Sequence, residues 1–420
     1  MPLPILLYRF FSYLLTPFFW IIILYRSYKG KEDWLRRYER VGKNKLKNND
    51  EEYIWIHAAS VGELLSVLPL SNLLLEKNYK LLITTTTLTS SNIFLSMFSK
   101  KIVHQFIPYD SPVFCARFLS NWKIKIGIFV ESEIWPNFIV ECKRKKIPLI
   151  ITNARFTQRT FNRWKKYKKS IRYLLNCFEY NIAQDNKTLE RLEELGSKKV
   201  LFFGNIKHDA KKLPVNKDKL EKINRSINGR NIIVAASTHS GEEEVIFSFY
   251  KRLKESIDNL LLIIAPRHPE RSKEIDKLSK KYGFSDEVNK FLSKNELPDK
   301  NTKLFIYDKI GELGQLYCIA NYVILGGAFE KLGGHNPIEP AKFGVAIFSG
   351  ANFFNFEDDY YNLIKSGAAM LYKEDALLNL ILSDDKIDEM GANARKCVEK
   401  LGGASEKTLE LIERSFANDK

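Results

Sequence analysis

Little in this 420-residue chain could act as a covalent or metallic staple. Its five cysteines, Cys115, Cys142, Cys177, Cys318 and Cys397, stand singly with no C-x-x-C pair. That excludes a disulfide framework and a zinc site, suits a reducing compartment, and leaves the thiols as buried apolar filler. Acidic residues are also scarce: 50 Asp and Glu stand against 66 Lys and Arg, for a net charge of +16. Such a surplus speaks of an anionic partner and not of fold. Nucleic acid is not expected, because no Arg-rich recognition helix, zinc finger or RNP-type aromatic sheet accompanies the charge. Anionic phospholipid or an anionic substrate remains, beside the plain alternative of a Lys-rich solvated surface. No short-period repeat or low-complexity tract appears, and 45% apolar content excludes wholesale disorder.

Charge is nearly absent from residues 3–25, LPILLYRFFSYLLTPFFWIIILY, where Arg9 stands alone. As one helix this stretch would reach roughly 34 Å at about 1.5 Å per residue, enough for a bilayer core. Arg9 near its end could snorkel, and Pro17 would kink the helix without forbidding it. No basic residue precedes the apolar run and no A-x-A-like site follows it, which argues against a cleaved signal. Arg26, Lys29, Lys31, Arg36, Arg37 and Arg40 follow directly. The positive-inside rule then predicts a single N-terminal anchor, over residues 1–30, with the body on the cytoplasmic face; an in-plane amphipathic helix is the alternative.

Beyond the anchor, short continuous apolar runs such as YIWIHAA, KLLITTTT, IKIGIFVES, NIIVAAS and LLLIIAP alternate with helical patterns. Continuous runs mark parallel strands buried on both faces, and strand–helix–strand order marks a doubly wound α/β architecture. A polar, highly charged stretch at 207–231 predicts the boundary between two such domains, 31–215 and 216–420. Two tandem open sheets would leave a cleft between their strand C-terminal ends, where ligands bind.

The unusual residues gather at those strand ends. In YIWIHAASVGELLSVLPL, Ser60 and Glu63 have the S-x-x-E spacing of a capping box, so Glu63 is either a helix cap or chemistry. A carboxylate there is expected to stay ionised beside the helix dipole, at some cost in basicity. Glu131 and Glu133, in ESEIWPN, could hold a divalent metal or be ordinary carboxylates. Arg155 follows LIITN, and Asn205, Lys207, His208 and Asp209 follow VLFFG. In the second half Ser237, Thr238 and His239 precede a helix that Ser240 and Glu243 would cap. Pro266, Arg267, His268 and Arg271 end another strand, where an Arg suits either an anionic ligand or a nearby carboxylate. In GGAFEKLGGHNPIEPAKFG, Asn336 reads as an N-cap, Pro337 as N1 and Glu339 as N3; the loop could hold a phosphate and the carboxylate a ribose diol.

Taken in order, SVGE, ESEIWPN, ITNAR, GNIKHD, STHSGEEE, PRHPER, GEL at 311–313, GGHNPIEPA and NFFNFED resemble the Kdo transferases, which attach 3-deoxy-manno-octulosonic acid from CMP-Kdo to a lipid A precursor in lipopolysaccharide assembly. The resemblance spans nearly the whole chain. It implies a GT-B glycosyltransferase of two Rossmann-like domains facing each other across a cleft, an acceptor domain first and a CMP-Kdo domain second. Transfer would be inverting, without metal or cofactor, at the bacterial inner membrane. It further implies Glu63 as general base, Glu131 and Lys207 as transition-state stabilisers, and a CMP site of Pro266, Arg267, Ile310, Gly311, Glu312, Asn336, Pro337, Ile338 and Glu339. Glu133 has no role in that pattern. The competing expectations are another GT-B nucleotide-sugar enzyme, a UDP-sugar transferase or epimerase, and a basic membrane-surface scaffold without chemistry.

Overall fold

The computed structural model describes residues 1–44, 51–227, 229–285 and 289–417, so Asn228 of the expected linker lies outside them. The chain forms two compact units, Met1–Ala210 with Leu401–Lys420, and Lys211–Lys400.

The first unit holds seven strands: β1 Glu52–His57, β2 Lys80–Thr85, β3 Val103–Phe106, β4 Lys123–Val130, β5 Leu149–Ala154, β6 Tyr180–Ala183 and β7 Val200–Phe202. They form one parallel sheet in the order β3-β2-β1-β4-β5-β6-β7. In β1 the alternate residues enter opposite cores. Trp55 packs with Phe118, Phe129 and Phe138 on one face, and Ile54 and Ile56 with Leu64, Ile83 and Ile128 on the other. Two apolar faces explain why the strand reads as an unbroken hydrophobic run.

The second unit repeats the plan with β8 Asn231–Thr238, β9 Leu260–Pro266, β10 Asn289–Phe291, β11 Leu304–Ile306, β12 Tyr322–Leu325, β13 Ala346–Ser349 and β14 Ala369–Leu371. These strands too are all parallel, in the order β10-β11-β9-β8-β12-β13-β14. In each sheet the chain winds outward from a central strand and then returns to its other side, between β1 and β4 and between β8 and β12. Such reversal points are where open α/β sheets hold ligands.

Several expectations need correction. The helix Ala404–Ala417 belongs to the first unit, not to a domain 216–420. Its Leu409, Leu411 and Ile412 fill the core beneath β1, and the Asp209 carboxylate accepts hydrogen bonds from the backbone N–H of Gly403 (2.7 Å) and Ser405 (2.6 Å) at its start. The supposed linker contains a helix, Lys217–Ser226, and the unit boundary falls at Ala210/Lys211. Of the cysteines, Cys115, Cys142 and Cys397 are buried, but Cys177 is half-buried and Cys318 exposed; none is bridged.

The N-terminal apolar stretch is not one helix. It forms Leu3–Leu14 and Thr16–Tyr28, bent by 64° at Leu15, and no single helix among the described residues is long and apolar enough to cross a membrane. Pro17 has no N–H to continue the ladder and its ring excludes the carbonyl four residues back, so the chain restarts at Thr16. Thr16 Oγ1 closes the break by donating to the Ser12 carbonyl (3.1 Å). Arg9 does not snorkel: it pairs with Glu141 at 2.6 Å, while Tyr8 Oη donates to Asp110 at 2.9 Å and Asn137 Nδ2 to Ser12 Oγ at 3.0 Å. These contacts dock one face of the first helix on the sheet domain. Three of the six basic residues that follow are likewise engaged, Arg26 and Arg40 by Glu32 and Arg36 by Glu39.

Candidate active site

At the reversal point of the first sheet, β1 ends at His57 and runs through Ala58 and Ala59 into the short helix Val61–Ser66. The capping box forms: Ser60 Oγ accepts from Glu63 N (3.2 Å), and the Glu63 carboxylate reaches back to Ala59 N (2.7 Å) and Ser60 Oγ (3.0 Å). Yet Glu63 is more than a cap. Burial, first, and then the nearby charges of Glu133 and Glu131 lift its pKa above the usual carboxylate value, against the lowering effect of the Ala59 and Ser60 bonds. The expected loss of basicity is therefore reversed, since desolvation and like charge outweigh the helix end. A half-buried carboxylate of raised basicity beside an opening strand end is poised to take a proton.

Glu131 directly follows β4, the strand across the reversal, and holds a left-handed backbone (φ 57°), a costly conformation for a residue with a Cβ. Its carboxylate meets Lys207 Nζ at 2.6 Å. Lys207 is placed by two asparagines: Asn205 Oδ1 accepts from the Lys207 N–H (3.1 Å), and Asn153 Oδ1 from the Ile206 N–H (3.1 Å). Glu63, Glu131 and Lys207, the first-unit residues to which the resemblance gives catalytic roles, thus follow β1, β4 and β7, with Glu131 paired to Lys207 and acting on Glu63.

Glu133 and His57 have a part that the sequence pattern did not show. His57 is fully buried, its Nδ1 3.0 Å from Thr84 Oγ1 and its Nε2 3.4 Å from Glu133 Oε2. Trp135 Nε1 donates to the same Glu133 oxygen at 2.6 Å. Despite burial, these partners hold the Glu133 pKa below the ordinary value, so it is charged and acts on Glu63. Glu131 and Glu133 therefore face different partners, a cation and an imidazole–indole pair. Replacing Glu133 by Gln removes the negative charge that raises the pKa of Glu63. The base then stays deprotonated to lower pH, and the acid limb of the pH–rate profile is expected to move down in pH; an unmoved or upward-shifted limb would contradict this.

The second unit gathers the other group. Arg267 follows β9, its N–H donating to the Thr238 carbonyl (3.0 Å). Its guanidinium is exposed and, among the described residues, has no ion-pair partner. Arg271 instead is consumed by the carboxylates of Glu243 (2.8 Å) and Glu274 (3.1 Å). The Ser240–Glu243 cap does not form. Gly241 heads the helix Glu242–Leu253, Glu243 accepts from Thr238 Oγ1 (2.8 Å), and Ser240 Oγ lies 3.4 Å from Glu274. Helix Ile338–Phe343 begins one residue later than expected, with Pro337 at the cap position, though Asn336 Oδ1 still accepts from the Ile338 N–H (3.0 Å) and Asn336 Nδ2 donates to Glu339 (3.3 Å). Burial raises the Glu339 pKa, opposed by Asn336, Lys342 and Arg267, which places Arg267 within electrostatic reach of it. Glu312 is held near pKa 2, against burial, by Lys219, Tyr307 (2.7 Å) and Lys309 (3.0 Å), beside an exposed Ile310 and a left-handed Gly311.

Comparison with known proteins bears on this arrangement. The family model described as 3-Deoxy-D-manno-octulosonic-acid transferase (kdotransferase) matches residues 32–210. A 3-deoxy-D-manno-octulosonic acid transferase of Rickettsia bellii is 35% identical over 420 residues, 98% of this chain and 99% of its own. One of Haemophilus influenzae is 34% identical over 378 residues, 86% of each chain. Of solved structures, a glycosyltransferase from Rickettsia africae has a TM-score of 0.58 at 14% identity, covering 87% of this chain and 99% of its own. A putative UDP-N-acetylglucosamine 2-epimerase from Listeria monocytogenes has a TM-score of 0.60 at 14% identity, covering 88% and 97%. At such identities the structural likeness is one of fold alone: two parallel-sheet α/β units resembling GT-B glycosyltransferases.

Proposed function

The chain belongs to the 3-deoxy-D-manno-octulosonic acid (Kdo) transferases and transfers Kdo in lipopolysaccharide biosynthesis, and on that footing we propose that its donor is CMP-Kdo, its acceptor a lipid A precursor and its mechanism a one-step inverting displacement without metal or cofactor. The observation that carries the mechanism is Glu63, made more basic than an ordinary carboxylate and set beside the Lys207–Glu131 pair. Glu63 takes the proton of the acceptor hydroxyl as the oxygen attacks the anomeric carbon and the sugar–phosphate bond breaks. Lys207, held by Glu131, offers a fixed cation to charge that develops in the transition state. In the second unit Pro266, Arg267, Ile310–Glu312 and Asn336–Glu339 bind CMP; the unpaired Arg267 suits the phosphate, and Glu339 with Asn336 a ribose diol. Mass spectrometry after incubation with CMP-Kdo and a tetra-acylated lipid A precursor tests this. The expected product carries added Kdo and forms equally in EDTA. No product, or activity lost to chelator and restored by Mg²⁺, would overturn the substrate or the metal-free assignment respectively.

The bent N-terminal pair serves as the anchor at the cytoplasmic face of the bacterial inner membrane, lying along the bilayer surface with its outer side in one leaflet. Supporting this, Phe10, Phe11, Phe18 and Ile21 are each more than half exposed, whereas Tyr8, Arg9 and Ser12 tie the opposite side down. Serine at Phe10, Phe11 and Phe18 together forfeits roughly 2 kcal/mol of apolar burial per ring. The triple variant is expected to shift from the floating vesicle fraction to the bottom of the gradient in flotation with anionic phospholipid vesicles while keeping its fold, and full retention on vesicles would refute the anchor.

A further inference from the structure

Three of the six histidines of the chain meet at the reversal point of the second sheet. His239 follows β8 and His335 lies in the glycine-rich loop after β12. Their rings are nearly coplanar (5°) with centres 5.1 Å apart and Nε2 atoms 2.9 Å apart. The nitrogens are much closer than the ring centres, so the imidazoles meet edge to edge in an N–H···N bond rather than face to face. One Nε2 donates and the other accepts.

The pairing is built deliberately into the backbone. Gly327 has φ 78°, and a Cβ there would sit 2.8 Å from His335 Cδ2, so only glycine lets the imidazole in. The buried Glu242 carboxylate accepts from Gly327 N (2.8 Å) and His239 N (2.9 Å), locking both loops together. Around His239 stand His268, with ring centres 5.9 Å away, Arg271 from the loop after β9, Glu242 and Glu243 from the following helix, and Glu274 through Ser240, while Arg267 acts on His335. Glu330 approaches Gly241, and Tyr360 Oη donates to the His335 carbonyl (3.3 Å).

We propose that His239 and His335 form a proton-accepting clamp on the phosphate of the nucleotide, a role that rests on the CMP reading of this unit. The chemistry demands such a group. As Kdo leaves, the sugar–oxygen bond breaks with its electrons on the phosphate, whose charge goes from one negative to two, while the acceptor proton goes to Glu63. A solvent proton taken up by the histidine pair and shared across the Nε2–Nε2 contact offsets the new charge, and a charge-assisted hydrogen bond from the outer Nδ1–H holds the phosphate. Without the anion the pair is held neutral: burial first, then His239 and Arg267, bring His335 down to about 4, and burial lowers His239. A dianion beside it is what reverses that balance.

Calorimetry of CMP binding to the full chain at pH 7.0, in two buffers of different ionisation enthalpy, counts the protons. Free CMP is mostly dianion there, so uptake comes from the protein. About half a proton or more is expected per CMP, and none for cytidine, which lacks the phosphate. His335→Asn and His239→Gln each abolish the uptake and weaken CMP about tenfold, the size of a lost charged hydrogen bond. Binding without uptake, or uptake unchanged in both variants, overturns the clamp alone. No CMP binding by the wild-type chain overturns the nucleotide reading and the clamp with it. Should a variant fail to fold, the wild-type comparison of CMP with cytidine decides by itself.

Discussion

Glu63→Gln is expected to abolish Kdo transfer while leaving both CMP binding and the fold in place. The amide is isosteric and its oxygen can still accept from Ala59 N, as Glu63 does at 2.7 Å, so the capping box survives. What disappears is the ability to hold a proton. General-base catalysis is worth about 10²- to 10⁴-fold, and a loss of that size is expected in kcat. Stability should stay within about 0.5 kcal/mol of wild type, as for a change that breaks no cap. The base assignment fails if turnover stays near the wild-type value, or if the unfolding midpoint falls with the activity, which would make Glu63 a cap only.

The same residue shows what a sequence can and cannot disclose. Its place at the turn from β1 into a helix was legible, because the apolar run Tyr53–His57 stops at Ala58 and Ser60 begins a capping signature. Its elevated basicity was not. That depends on Glu133 and Glu131 arriving from β4, a strand 70 residues on in the chain but adjacent in the sheet, and on the burial they share. The charged state of Glu133 depends in turn on His57 and Trp135, which only the pairing of β1 with β4 brings together.

Fold followed a similar division. The long apolar strands of both sheets announce themselves, whereas β10 (Asn289–Phe291) and β14 (Ala369–Leu371), at the edges of the second sheet, are three residues each and carry no pattern to read. The return of the last helix to the first unit joins Leu409, Leu411 and Ile412 to the core beneath β1 and puts its start on Asp209, almost two hundred residues earlier, a tertiary event with no local signal. At the N-terminus composition marked an apolar element and Pro17 a kink in one long helix, but not the restart at Thr16 as a second helix bent by 64° from the first. Hydropathy alone could not show that Arg9 faces Glu141 in the protein and not the bilayer edge.

Two arginines four residues apart are expected to separate stability from donor binding. Arg271 is nearly buried and holds Glu243, whose side chain is wholly inaccessible, at 2.8 and 3.2 Å. Arg271→Ala leaves that carboxylate, among the described residues, with Thr238 Oγ1 (2.8 Å) as its one remaining hydrogen-bond donor. Leaving a buried charge unpaired costs about 3–5 kcal/mol, so the second unit should unfold at markedly lower denaturant. Arg267 is exposed and, among the described residues, forms no ion pair, and its action on Glu339 is exerted at a distance, so its loss strands no directly paired buried charge. Arg267→Ala should keep the denaturation midpoint and weaken CMP-Kdo by about 1.5–3 kcal/mol, the usual worth of a hydrogen bond to a charged group. The two variants thus predict opposite pairs of readings, a fallen midpoint against a fallen affinity. If Arg267→Ala leaves donor affinity untouched while Arg271→Ala at unchanged stability abolishes it, the phosphate is held by the wrong arginine here, and the CMP site must be redrawn around Glu243 and the helix Glu242–Leu253.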